Sequence, residues 1–258
     1  MLYTEQPFLD RFALAARAGF SAVEYLFPYQ FDLKEIRTRL EDLGLVQALF
    51  NLHPGDSSAA EWGTLSSPHR REYFRRSLSE ALQAARFLGC SRLNSMFGNK
   101  VAGVTPAAQF DCAVENLAWA APLAADAGVT LLIEPLNPAD FPECAIHRTS
   151  EALEIVRRVH NPRVKLQYDI YHAQMTEGNL IRTFSKCLFE IGHMQLADVP
   201  GRHEPGTGEI NFPTVLKALG DLNYSGYMGL EYRPSGDTNG SLAWLPLDQR
   251  TQATGALQ

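Results

Sequence analysis

VTLLIE (129–134), VKLQYD (164–169), IGHMQL (191–196) and YMGLE (227–231) are the stretches on which the fold turns. Each is a short apolar run, the length of a strand, that ends on or beside a polar side chain. Helical periodicity fills the intervals, near 149–159, 176–189 and 212–220. The same rhythm continues upstream, with strands expected near 22–27 (AVEYLF), 46–51 (VQALFN) and 92–97 (RLNSMF). Helices are expected near 7–18, 32–43, 70–88 and 107–127, and a weaker one after 239. Punctuation agrees with these bounds: Asp32 and the Thr149-Ser150-Glu151 run are N-terminal capping signals, and Gly19, Gly44, Gly89 and Gly128 each follow a helix as C′ glycines do.

Parallel strands need crossover helices, so regular βα alternation leaves either an open doubly wound sheet or a closed barrel. The units recur along the whole chain without a domain break, and polar residues cap several strands, where barrel active sites lie. No GxGxxG or GxxxxGK[ST] motif is present. The expected fold class is therefore α/β, a TIM (β/α)8-type barrel forming one domain over 1–258, with a disordered tail after about 250. Only seven strands can be named, because the chain passes from Met1-Leu2-Tyr3 to its first helix by about residue 7. The first barrel strand is expected to be missing or truncated at the N-terminus: either the true start lies upstream, or another segment or a subunit of a homo-oligomer covers the gap, because an open edge beside a hydrophobic core invites association.

Composition narrows the function. The 258 residues carry a formal charge of -6, which disfavours a polyanionic partner. The one basic run, His69-Arg70-Arg71 with Arg75-Arg76, reads as a solvated helix face, so no nucleic acid is expected. No apolar run approaches the roughly 20 residues of a membrane span. Cys90, Cys112, Cys144 and Cys187 are widely spaced with no CxxC pair, which suits a reducing cytoplasm.

Glu134, Asp169, Gln195 and Glu231 stand at or near strand ends, at spacings of 35, 26 and 36 residues, about one βα unit each. In a barrel such positions converge on the C-terminal mouth. Three carboxylates crowded there would repel and have their pKa values raised unless a cation shared the site. Hard oxygen donors favour Mg2+ or Mn2+. The bland reading of any one of them, a helix cap or a partner for a surface arginine, is harder to sustain for four in consecutive units. His172 is placed to hydrogen-bond a substrate hydroxyl or to cap the next helix. Arg202, on the Gly- and Pro-rich loop after IGHMQL, is a candidate grip for a carboxylate. His53, in NLHPGD (51–56), is a further substrate-contact candidate. His193 shares a strand face with Gln195 and reads as an interior, structural histidine.

At IEPLN (133–137), QYDIYH (167–172), HMQLAD (193–198), GRHEPGTGEIN (201–211) and GLEYRP (229–234) the chain resembles the hydroxypyruvate isomerase family and its neighbours, the 2-oxo-tetronate isomerases. Both belong to the xylose isomerase-like TIM barrels. GFSAVEYLFPY (19–29) and the NLHPGD loop extend the likeness over nearly the whole chain. The resemblance implies an aldose-ketose isomerase of small hydroxy or oxo acids, with Glu134 and Glu231 flanking the substrate as catalytic groups and all four strand-end residues binding the metal. It also implies a short strand ahead of MLYTEQPF that this chain lacks. The rival readings are a 2-oxo-tetronate isomerase or sugar epimerase on the same barrel, and, from another class, a sugar-binding barrel without turnover. An endonuclease IV-like enzyme is disfavoured by the few histidines at strand ends and by the charge.

Overall fold

Hydrophobic burial builds the sheet from the strands whose residues are apolar on both faces. The computed structural model, which describes residues 1–56, 58 and 61–250, contains seven strands: β1 (Ala22–Glu24), β2 (Val46–Asn51), β3 (Arg92–Asn94), β4 (Thr130–Ile133), β5 (Val164–Asp169), β6 (Ile191–Leu196) and β7 (Met228–Leu230). Each pairs in parallel with the next in chain order. Helices cover the outside: α1 (Arg11–Arg17), α2 (Leu33–Leu43), α3 (Arg71–Leu88), α4 (Pro106–Asp126), α5 (Thr149–Val159), α6 (Ile170–Thr176), α7 (Leu180–Cys187), α8 (Phe212–Asp221) and the single turn α9 (Thr238–Ser241). None is long and apolar enough to cross a membrane among the described residues.

The seven-strand expectation holds. No ladder joins β7 to β1 among the described residues. Between these two edges lies a cavity of about 520 Å³, bordered by Phe8, Phe12, Val23, Tyr25 and Leu230. It occupies the place an eighth strand would fill. On the outer face of the sheet, Leu131, Leu166 and Met194 are fully buried in the core shared with the helices.

Some local expectations shift. β1 and β3 stop at Glu24 and Asn94, so the YLF and SMF residues that extend their sequence patterns lie outside the ladders. Asp32 does cap α2, accepting from the Lys34 N–H at 2.8 Å. Gly44 and Gly89 take left-handed conformations at the ends of α2 and α3. α5 begins at Thr149, and the Glu151 carboxylate turns back to accept from the Arg148 N–H at 2.8 Å. α6 was hidden from periodicity because it starts directly at the end of β5, with Asp169 as its cap. The expected disordered tail lies outside the described residues.

Candidate active site

Strand order does most of the positioning. Asp169 is the last residue of β5, Glu134 follows β4 by one residue, Glu231 follows β7 by one, and Gln195 is the penultimate residue of β6. Register sets Asp169 opposite Gln195 and Gln195 opposite Gly229, so these side chains share the mouth of the barrel.

The geometry within the mouth is specific. Arg202 Nη2 lies 3.1 Å from Glu231 Oε2 and 3.5 Å from Asp169 Oδ2. Its guanidinium also stacks over the Tyr171 ring, with Cζ 4.8 Å from the centroid. Glu134 Oε2 accepts from Asn94 Nδ2 at 2.8 Å. Asp169 Oδ1 accepts from the Tyr171 N–H at 2.8 Å, which leaves Oδ2 aimed at the site. Ligand atoms of Glu134, Asp169 and His172 all lie within 4.8 Å of one another. Glu231 joins the group through the shared guanidinium.

His172 has a defined polarity. Its Nδ1 accepts from the Asn137 backbone N–H at 3.2 Å, so the neutral ring carries its proton on Nε2, 3.5 Å from Asp169 Oδ2. Burial, aided by Arg202, holds the imidazole well below its ordinary pKa. His172 is therefore a neutral hydrogen-bond donor facing the site, despite its ligand-like distance.

Burial also raises the carboxylates. It pushes Asp169 up to about 7 against the pull of Arg202. It holds Glu134 well above the usual carboxylate range, reinforced by Glu231 and then Asp169. Glu231 is raised by burial too, with Arg202 opposing. Two of the three carboxylates contact Arg202, and its charge acts on Glu134 only through space, so negative charge outweighs that of the guanidinium.

The Arg202 loop is built to be rigid. Asp198, buried just beyond β6, accepts from the backbone N–H groups of Gly206 and Gly208 at 2.9 Å and of Ile210 at 3.1 Å. Arg202 in turn accepts at its carbonyl from the Arg233 N–H at 2.7 Å, tying the loop to the chain after β7.

Of the residues singled out in the sequence, Glu134, Asp169, Glu231, His172 and Arg202 come together, and Gln195 lies beside them on β6. His53 points elsewhere: its ring stacks on Tyr29 at 3.7 Å and its Nε2 lies 3.8 Å from Glu80 of α3. His193 is fully buried, as its alternation with Gln195 implies. Sequence reading missed Asn94, Gln167 and Glu24. Gln167 alternates with Asp169 on β5, and that period-two signal was available; for Asn94 and Glu24 nothing in the one-dimensional pattern shows which way the side chain turns.

Comparison with known proteins follows the geometry. A family model described as xylose isomerase-like TIM barrel matches residues 12–247. A 2-oxo-tetronate isomerase from Cupriavidus necator is 43% identical over 245 residues, covering 95% of this chain and 94% of the relative. The hydroxypyruvate isomerase of Escherichia coli is 40% identical over 245 residues, with 95% of each chain covered. Among solved structures, a Brucella melitensis protein titled AP endonuclease, family 2, superposes with a TM-score of 0.92 at 42% identity, covering 94% of both chains.

Proposed function

Because this chain belongs to the xylose isomerase-like TIM barrel family and stands with the hydroxypyruvate and 2-oxo-tetronate isomerases, we propose that it interconverts hydroxypyruvate and tartronate semialdehyde through an enediol. The observation that carries this reading is the meeting of Glu134, Asp169 and Glu231 from the ends of three different strands, with Arg202 against Asp169 and Glu231 and Glu134 beside Asp169.

Each residue has a task in this reaction. Glu134 and Glu231 flank the substrate, one taking the C3–H proton and the other delivering a proton to C2. The C2 carbonyl oxygen gains a proton as the enediol forms, and the C3 hydroxyl loses one as the aldehyde appears, so atoms balance. Proton transfer by positioned carboxyl groups whose pKa values are raised toward neutrality is efficient near the working pH. His172 Nε2–H is placed to donate to a substrate oxygen. Arg202 grips the substrate carboxylate in a planar, two-pronged fashion once it is released from its acidic neighbours.

The residues fit a divalent cation, since three crowded carboxylates with raised pKa values lack compensating charge. Glu134, Asp169, Gln195 and Glu231 would hold Mg2+ or Mn2+, which would supply Lewis-acid stabilisation to oxygens that gain negative charge. A reducing cytoplasm suits the four buried, free cysteines.

A four-carbon 2-oxo-tetronate is the second reading, favoured by the 43% identity to an isomerase of that name. A nuclease role is not adopted, because a net charge of -6 and a cluster of carboxylates repel a phosphate backbone. Coupled assays on both substrates, with Mg2+, Mn2+ or a chelator, test the reading. Turnover of neither substrate with either metal would overturn it. Running the reaction in deuterium oxide separates proton transfer, which incorporates deuterium, from a hydride shift, which does not.

A further inference from the structure

Beside the carboxylate cluster, a chain of polar groups joins Gln195 to His193, Glu24 and Gln167, three residues that the chemistry above does not use. Glu24, at the end of β1, reaches across β7 to β6. Its Oε2 is 2.6 Å from His193 Nε2, and its Oε1 accepts from Gln195 Nε2 at 2.9 Å. Gln195 Oε1 in turn accepts from Gln167 Nε2 at 2.5 Å. The crossing is possible because residue 229 is glycine: a Cβ there would collide with the Glu24 carboxylate.

We propose that Glu24 is a positioning residue that decides which end of the Gln195 amide faces the metal-binding mouth; the proposal rests on the reading of Gln195 as a metal ligand. The two ends of an amide have nearly the same shape but opposite chemistry toward a cation. Gln167 cannot choose between them, because its own amide can turn to donate or accept. Glu24 can, because a carboxylate only accepts and so captures the NH2 end. The polarity runs onward from it: Gln195 must present its oxygen, and Gln167 must present its NH2 group. The consequence is visible at the far end, where Gln167 Oε1 is buried with no hydrogen-bond partner among the described residues. His193, fully buried, holds the second oxygen of Glu24 and so fixes the carboxylate itself.

The test is Mn2+ affinity, measured by calorimetry and electron paramagnetic resonance on folded protein, for wild type, Glu24→Gln, Gln195→Ala and the double variant. Glu24→Gln, whose amide can offer a donor as readily as an acceptor, is expected to weaken Mn2+ binding by about tenfold, in the range seen when groups that orient metal ligands are removed. In the Gln195→Ala background the same substitution is expected to cost nothing further, because there is no amide left to orient. Gly229→Ala provides a second route: it keeps the charge but displaces the carboxylate, and should weaken Mn2+ in the same way even if Glu24→Gln fails to fold. Unchanged affinity in the folded Glu24 and Gly229 variants overturns the proposal, as does a loss that is equal with and without Gln195. If Gln195→Ala alone binds Mn2+ as wild type does, it is the ligand reading of Gln195 that falls, and the proposal with it.

Discussion

The arc of β4, β5 and β6 and the seam between β7 and β1 grow from the same βα rhythm, yet they hold together differently. In the arc every strand has a partner on both sides, and Leu131, Leu166 and Met194 are completely buried. At the seam β1 and β7 are three residues each, their side chains are mostly half-buried, and an unbridged cavity separates their edges. The arc delivers Glu134, Asp169 and Gln195 from a rigid base. The seam delivers Glu231 and Glu24, and these are tied to the rest by side chains: Arg202 holds Glu231, while His193 and Gln195 hold Glu24. Polar cross-links therefore do at the seam what backbone ladders do in the arc.

The largest expected effect probes Glu134 and Glu231, the proposed catalytic pair, which is split between the two regions. Glu231→Gln and Glu134→Gln should each lower kcat by about 10²–10⁴-fold in a coupled isomerase assay while the circular dichroism spectrum is unchanged. Loss of activity from only one of them would break the symmetric acid-base assignment.

Core truncation should separate the regions by stability. Leu131→Ala in the arc is expected to cost about 2–5 kcal/mol in urea unfolding, whereas Leu230→Ala at the seam, already half-buried beside a cavity, should cost roughly 1–2 kcal/mol. Equal costs would mean that the seam is as tightly packed in solution as the arc.

A third prediction concerns pH. Asp169 titrates at about 7 in the folded metal-free protein and near about 3.9 when unfolded. The folded state therefore binds the extra proton in this window, so its contribution to stability is present below about pH 4 and lost as pH rises through about 7. Melting temperatures of chelator-treated protein should fall across that range, and Mn2+ should abolish the fall. A metal-free protein that gains stability over the same range would contradict the charge deficit assigned to the mouth.

The smallest effect is dynamic. Backbone amides of β1 and β7 should exchange with solvent faster than those of β5 and β6 by hydrogen-exchange mass spectrometry. Similar protection in all four would argue against an open seam.

Periodicity and strand-end polarity made the βα order legible, together with Glu134, Asp169 and Glu231, because both depend on residue type at fixed spacing. α6 escaped because it shares Asp169 with β5 as both strand end and cap. The direction of His53 escaped because a loop histidine carries no face, and only the Tyr29 stack and Glu80 place it. By itself the sequence determined the alternation, the seven strands and the carboxylates at successive strand ends, all of which are local in the chain. Tertiary structure alone decided that Arg202 serves two carboxylates, that His172 presents Nε2–H, and that Glu24 crosses a glycine to reach Gln195. These depend on distances between residues 29 to 171 positions apart, which closure of the barrel sets.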